Sequence, residues 1–99
     1  MNAKIKFEFE AVIWQNASPG GWYFITIPKS LSKEIRGYFK VEEQGWGRLK
    51  ATAKIESIEW ETAIWFDTKA GAYLLPLKSE IRKKEKLQAG KKVKIALSI

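Results

Sequence analysis

Four stretches of the chain alternate apolar and polar residues with period two. Ile5, Phe7, Phe9 and Ala11 alternate with Lys6, Glu8 and Glu10, and Leu49, Ala51, Ala53 and Ile55 with Arg48, Lys50, Thr52, Lys54 and Glu56. Trp60, Thr62, Ile64 and Phe66 are set against Glu59, Glu61, Ala63, Trp65 and Asp67, and Val93, Ile95, Leu97 and Ile99 against Lys92, Lys94, Ala96 and Ser98. Side chains on a strand point alternately to its two faces, so each stretch predicts a strand with one buried and one wet face. Two further runs, Trp22 to Ile27 and Ala72 to Leu75, are apolar almost throughout and stop at Pro28 and Pro76. The clusters at 16–21 and 68–71 carry the turn residues that join strands into hairpins.

Each proline-ended run is followed by helical spacing. After Pro28, Leu31, Ile35 and Tyr38 or Phe39 recur at i, i+4 and i+7 or i+8, with Ser30 or Ser32 as cap and Gly37 near the end. After Pro76, Ile81, Arg82 and Leu87 predict a second short helix before Gly90 turns the chain into the final strand. Proline lacks a backbone donor and disfavours helix in the residue before it, so the strand is expected to stop at Pro76. Two similar half-units of this kind predict a mainly β fold. The expected architecture is a small, closed or nearly closed β-barrel of six to seven strands with pseudo-duplicated halves and two short helices, the first lying across a barrel mouth. Residues 1–99 read as one domain with no linker. A chain carrying both halves needs no partner to close its sheet, so a monomer is expected.

Composition narrows the chemistry. A chain of 99 residues buries only about 60 to 70% of its unfolded surface, so its core must be dense. Forty-five per cent hydrophobic residues, with five Trp, meet that need. Cysteine and histidine are both absent, which removes thiol chemistry, the usual ligands of zinc and copper and the base of the common triads. No catalytic residue, metal ligand or cofactor is expected. No apolar run reaches the length of a membrane span, and the first residues lack a signal-peptide core, so the protein reads as cytoplasmic and not membrane-bound.

The net charge of +7 is unevenly placed, because eight cations fall between Lys78 and Lys94 against only Glu80 and Glu85. Lys78, Arg82, Lys83, Lys84 and Lys86 are the candidate contacts to nucleic acid or another anion. The plainer reading makes Lys83, Lys84 and Lys86 the solvated face of a helix, Lys92 and Lys94 the wet face of a strand, and Arg82 a structural cation capping carbonyls or pairing with a carboxylate. Trp46, between two glycines, and Trp65, on the parity opposite Ile64 and Phe66, are the candidates for stacking a ligand ring. Trp65 equally suits a second layer of packing. Trp22 and Trp60 read as core. Glu59 and Glu61, two apart on one strand face, lie near the separation of paired glycosidase acids, but such pairs are common on wet faces, and a hydrolase is disfavoured. The expected function is a non-enzymatic binding module for an unidentified ligand or partner, with nucleic-acid binding as the alternative.

Over nearly its whole length the chain resembles the prokaryotic family named domain of unknown function 1905. The matching elements are Phe9-x-Ala11, Trp22-x-Phe24-Ile25-x-Ile27-Pro28, Tyr73-x-Leu75-Pro76-x-Lys78-x-x-Ile81-Arg82-Lys83, and Leu87-x-x-Gly90-x-x-Val93. The resemblance implies a compact β-barrel with flanking helices and brings no activity or site residues with it. Pro76, Ile81, Arg82, Leu87 and Gly90 are also similar to the pattern of AbrB and MazE type swapped-hairpin barrels, which bind DNA and build their barrel from two chains. Here both halves lie in one chain, and Lys91 stands where that pattern carries an acid.

Overall fold

A computed structural model describes residues 4–17, 20–39, 41 and 47–99. Its elements are β1 (Lys6–Val12), β2 (Trp14–Gln15), β3 (Tyr23–Thr26), α1 (Lys29–Phe39), β4 (Arg48–Ile55), β5 (Ile58–Asp67), β6 (Ala72–Leu77), α2 (Ser79–Glu85) and β7 (Lys92–Ser98). The strands form one antiparallel sheet in the order β1-β7-β4-β5-β6-β3-β2.

The two ends of that order are the same strand. Phe7, Phe9, Ala11 and Ile13 keep one parity from β1 towards β2. The β1 residues pair with β7, while Trp14 and Gln15 pair with Phe24 and Tyr23 of β3. The N–H of Ile13 extends the first ladder to the carbonyl of Lys91 at 2.9 Å, and its carbonyl accepts the N–H of Gly90 at 2.7 Å. One continuous segment thus serves both edges, and the sheet curls into a nearly closed barrel. Counting that segment as one strand gives six strands in two equivalent sets. The β1/β2 strand, β3, α1 and β4 correspond to β5, β6, α2 and β7, and exchanging the sets returns the same neighbours. The pseudo-duplicated barrel expected from the sequence is the one observed.

The inward parity fills the barrel with Phe7, Ile13, Ile25, Leu49, Ile55, Ile64, Leu75, Val93, Ile95 and Leu97, all buried. Trp60 packs partly buried against this core, as expected. Trp22 does not. It lies just before β3 on the outer parity with Phe24 and remains 63% exposed, because the Trp22–Ile27 run is apolar on both faces and its pattern cannot say which faces inward. The strand also does not stop at Pro76, which pairs with Phe24 inside β6. Ile27 donates to the Tyr73 carbonyl, so the alternation of the antiparallel ladder points the nitrogen of residue 76 away from β3. On that other side, pairing with β5 has ended at Leu74. A residue without a donor is tolerated there.

Where β3 and β6 diverge, a serine replaces a ladder bond. The N–H of Tyr73 should return to the carbonyl of Ile27; instead it donates to Oγ of Ser32 at 3.0 Å, and that hydroxyl donates to the Ile27 carbonyl at 3.1 Å. Ser32 is fully buried in the first turns of α1, so this relay fastens the helix to the sheet end. Among the described residues, neither helix is long and apolar enough to cross a membrane.

Replacing Ser32 with Ala removes both bonds inside the core, and denaturant unfolding is expected to show a loss of about 1–3 kcal/mol. Gly90 has φ +91 with nothing within 4 Å of a built Cβ. Gly90→Ala is therefore expected to cost about 1–2 kcal/mol from backbone strain alone, read as a lower unfolding midpoint at unchanged slope.

Candidate functional site

Phe24, on the outer face of β3, is the hub of an aromatic cluster. Its ring lies 5.1 Å from that of Trp14, 6.4 Å from that of Trp22 and 5.8 Å from that of Trp65, the last approached edge-on. The register explains the meeting. Trp14 is paired with Phe24 and Phe24 with Pro76, while Thr26 is paired with Leu74 and Leu74 with Trp65, so two adjacent cross-strand rows lie side by side on one face of four strands. Leu74 and Pro76 are buried within them, which is why β6 is buried on both faces. The indole N–H of Trp14 donates to Oγ1 of Thr26 at 2.8 Å, satisfying the polar end of the ring within the protein and fixing its position.

This face is covered at its centre and open at its rim. Phe24 is buried and Trp65 half-buried, whereas Trp14 is 37%, Val12 50% and Trp22 63% exposed. Trp65 therefore takes the second packing layer that its parity allowed, while sitting inside the exposed patch. Trp46 lies outside the described residues. Arg48 pairs in register with Trp65, and Lys78 stands one position beyond the pair Tyr23 and Leu77, in line with Trp22. Sequence reasoning missed Trp14, Trp22 and Phe24 as a unit. The signal was an apolar residue at every position from Trp22 to Ile25, more than one face of a strand can bury.

The five candidate cations of the basic segment stay on α2 or at its two ends, and the rest of the segment leaves it. Lys83 and Lys84 are exposed on α2, Lys78 and Lys86 flank it, and Lys92 and Lys94 leave for the outer face of β7. There Lys94 faces Glu10 in register, and Lys92 Nζ lies 3.8 Å from Glu10 Oε1, an exposed pair worth about 0–1 kcal/mol. Arg82 has a structural place. Its Nε donates to the Leu77 carbonyl at 3.3 Å and its guanidinium lies 3.7 Å from the centroid of the Tyr23 ring. Glu85 is drawn to the β4–β5 turn, where Oε1 accepts the N–H and hydroxyl of Ser57 at 3.3 and 2.9 Å.

The paired carboxylates sit on a wet face. Glu59 is opposite Lys54, and Glu61 is opposite Thr52, whose hydroxyl accepts a bond from Lys4 Nζ at 2.9 Å. Among the described residues no group of three or more acidic side chains comes together in metal-binding geometry.

Fold and surface together define a small single-chain β-barrel built from two equivalent halves, with an aromatic patch on its outer wall. The chain belongs to the domain of unknown function family DUF1905, which matches residues 9–97. No curated protein matches it.

Replacing Arg82 with Lys keeps the charge but loses the planar stack on Tyr23 and the directed Nε bond. The expected result is a stability loss of about 1 kcal/mol by chemical denaturation.

Proposed function

We propose that this protein is a non-enzymatic, monomeric binding module of the cytoplasm whose contact surface is the outer aromatic patch, and that its partner is another protein. The observation that carries the reading is Trp22, held parallel to Phe24 yet 63% exposed. Contiguous apolar surface on a small barrel costs solubility, and it marks interaction sites when it is large and ordered. Tryptophan with a buried aromatic support is the residue type that dominates protein interfaces. The patch also includes the aliphatic Val12 and lies on paired strands, which suits a flat macromolecular contact. The lack of histidine and cysteine supports a role without catalysis. Barrel closure within one chain supports a monomer, since no second copy is needed to complete the sheet.

Placing a photo-crosslinking phenylalanine analogue at position 22, in the cells that make the protein, tests this directly. A discrete protease-sensitive adduct is expected, absent when the analogue stands at Lys54 on another part of the outer wall and weakened by Trp14→Ala. A nuclease-sensitive adduct, or labelling indistinguishable from that at position 54, overturns the reading.

A further inference from the structure

The cations that border the aromatic patch differ from those on the rest of the wall in what they face. On the polar side of the barrel Glu10 is opposite Lys94, and Glu59 is opposite Lys54. Around the patch the cross-strand neighbours of the cations are apolar, Arg48 standing opposite Trp65 and Lys92 opposite Val12. Lys78 follows Leu77, whose partner Tyr23 follows Trp22, and its backbone is still extended, so it prolongs β6 beside Trp22. Arg48 and Lys78 are exposed, and among the described residues neither forms an ion pair.

The carboxylates near this face are turned to other work. Glu10, two residues before Val12, faces Lys94 and lies 3.8 Å from Lys92 Nζ, so the charge of Lys92 is answered within the chain. Asp67, two residues after Trp65, directs Oδ1 to the N–H of Lys69 at 3.1 Å. Glu80 is exposed in the first turn of α2, where it meets the positive end of the helix dipole, and it makes no ion pair with Lys78. Arg48 and Lys78 therefore stand as unneutralised charges at two borders of an apolar surface. A neutral partner laid over the patch would strip water from both without replacing it, whereas an acidic one supplies the opposite charge. The net charge of +7 adds a long-range attraction of the same sign. Nucleic acid fits less well, because its affinity comes from neutralising a run of phosphates, and one cation on β4 with another at the end of β6 form no track.

Taking the aromatic patch as the contact surface, as proposed above, we infer that the partner presents an acidic apolar segment: an aromatic or large aliphatic side chain that covers Trp14 and Trp22, with carboxylates to either side that reach Arg48 and Lys78. The guanidinium of Arg48 can hold a carboxylate through two parallel bonds, and Lys78 serves as a point charge. Covered rings supply most of the affinity of such a contact, while charges at its rim set which partner is chosen. The two parts are separable by substitution.

The test is selection from a random peptide library displayed on phage, with the full chain immobilised at low ionic strength. Enriched sequences are expected to carry an aromatic or large aliphatic residue flanked by Asp or Glu, and to be lost with Trp22→Ala. A synthetic copy of an enriched peptide is expected to bind about tenfold more weakly once its Asp and Glu are replaced by Asn and Gln, and about tenfold more weakly to the double variant Arg48→Glu, Lys78→Glu. Selection on that double variant should turn towards Lys and Arg. Lys6→Glu, a charge reversal opposite Ser98 on the polar wall, should select as the parent does. Peptides that need Trp22 but show no acidic preference overturn this inference and leave the patch standing as the contact surface. Absence of any enrichment that depends on Trp22 overturns both, and so does a single-stranded DNA whose binding is lost with Trp22→Ala and which displaces the selected peptides.

Discussion

A single strand has to satisfy both edges of this sheet, and the rest of the molecule is arranged around that requirement. An open antiparallel sheet of this size would present two rows of unpaired backbone groups, each a template for aggregation. Here the segment from Lys6 to Gln15 gives its first residues to β7 and its last two to β3, with Ile13 at the crossover holding both of its backbone groups on the turn at Gly90 and Lys91. The inward parity of this strand, from Phe7 through Ile13, fills the barrel interior. Burial of the core and removal of the edges are one geometric event.

The helices follow from the same constraint. A barrel of six strands has two ends where the hydrogen-bond ladders run out and the core would meet water. Each half-unit sends a helix out soon after a proline, which follows β3 in one half and lies within β6 in the other, and each helix carries an arginine to an aromatic ring, Arg36 to Phe66 and Arg82 to Tyr23. At the α1 end the fit is tighter. The Ser32 hydroxyl stands in the ladder between Tyr73 and Ile27, so the sheet continues through a side chain where its backbones have separated.

The outer wall divides into two kinds of surface. On β1, β7, β4 and the start of β5 it is a polar array rich in Lys, Glu and Thr, in which Glu10 faces Lys94 and Glu59 faces Lys54. On β2, β3, β6 and the end of β5 it is aromatic, with Phe24 sealed under three tryptophans. The first kind keeps the protein dispersed in water. The second has packed itself as a small core outside the barrel, and its rim is left uncovered.

The chain by itself determined the strands, the hairpin turns, the two helices and the duplicated plan, because strict alternation in β1, β4, β5 and β7, proline and glycine punctuation, and a helical repeat from Leu31 to Phe39 are local signals carried by neighbouring residues. It also fixed the inward set on those strands, since a period of two leaves only one way to bury Leu49, Ala51, Ala53 and Ile55 together. Tertiary structure alone decided what happens where a run is apolar on both faces. Trp22, read from its neighbours as core, lies outside, and Pro76, read as a strand end, lies within β6, because both outcomes depend on which strand comes alongside and where its pairing stops. The same holds for the basic segment, which is continuous in sequence but is parted by α2 and β7 onto different surfaces. Trp14, Trp22, Phe24 and Trp65 are up to 51 positions apart, and only the register of four strands brings them into one patch.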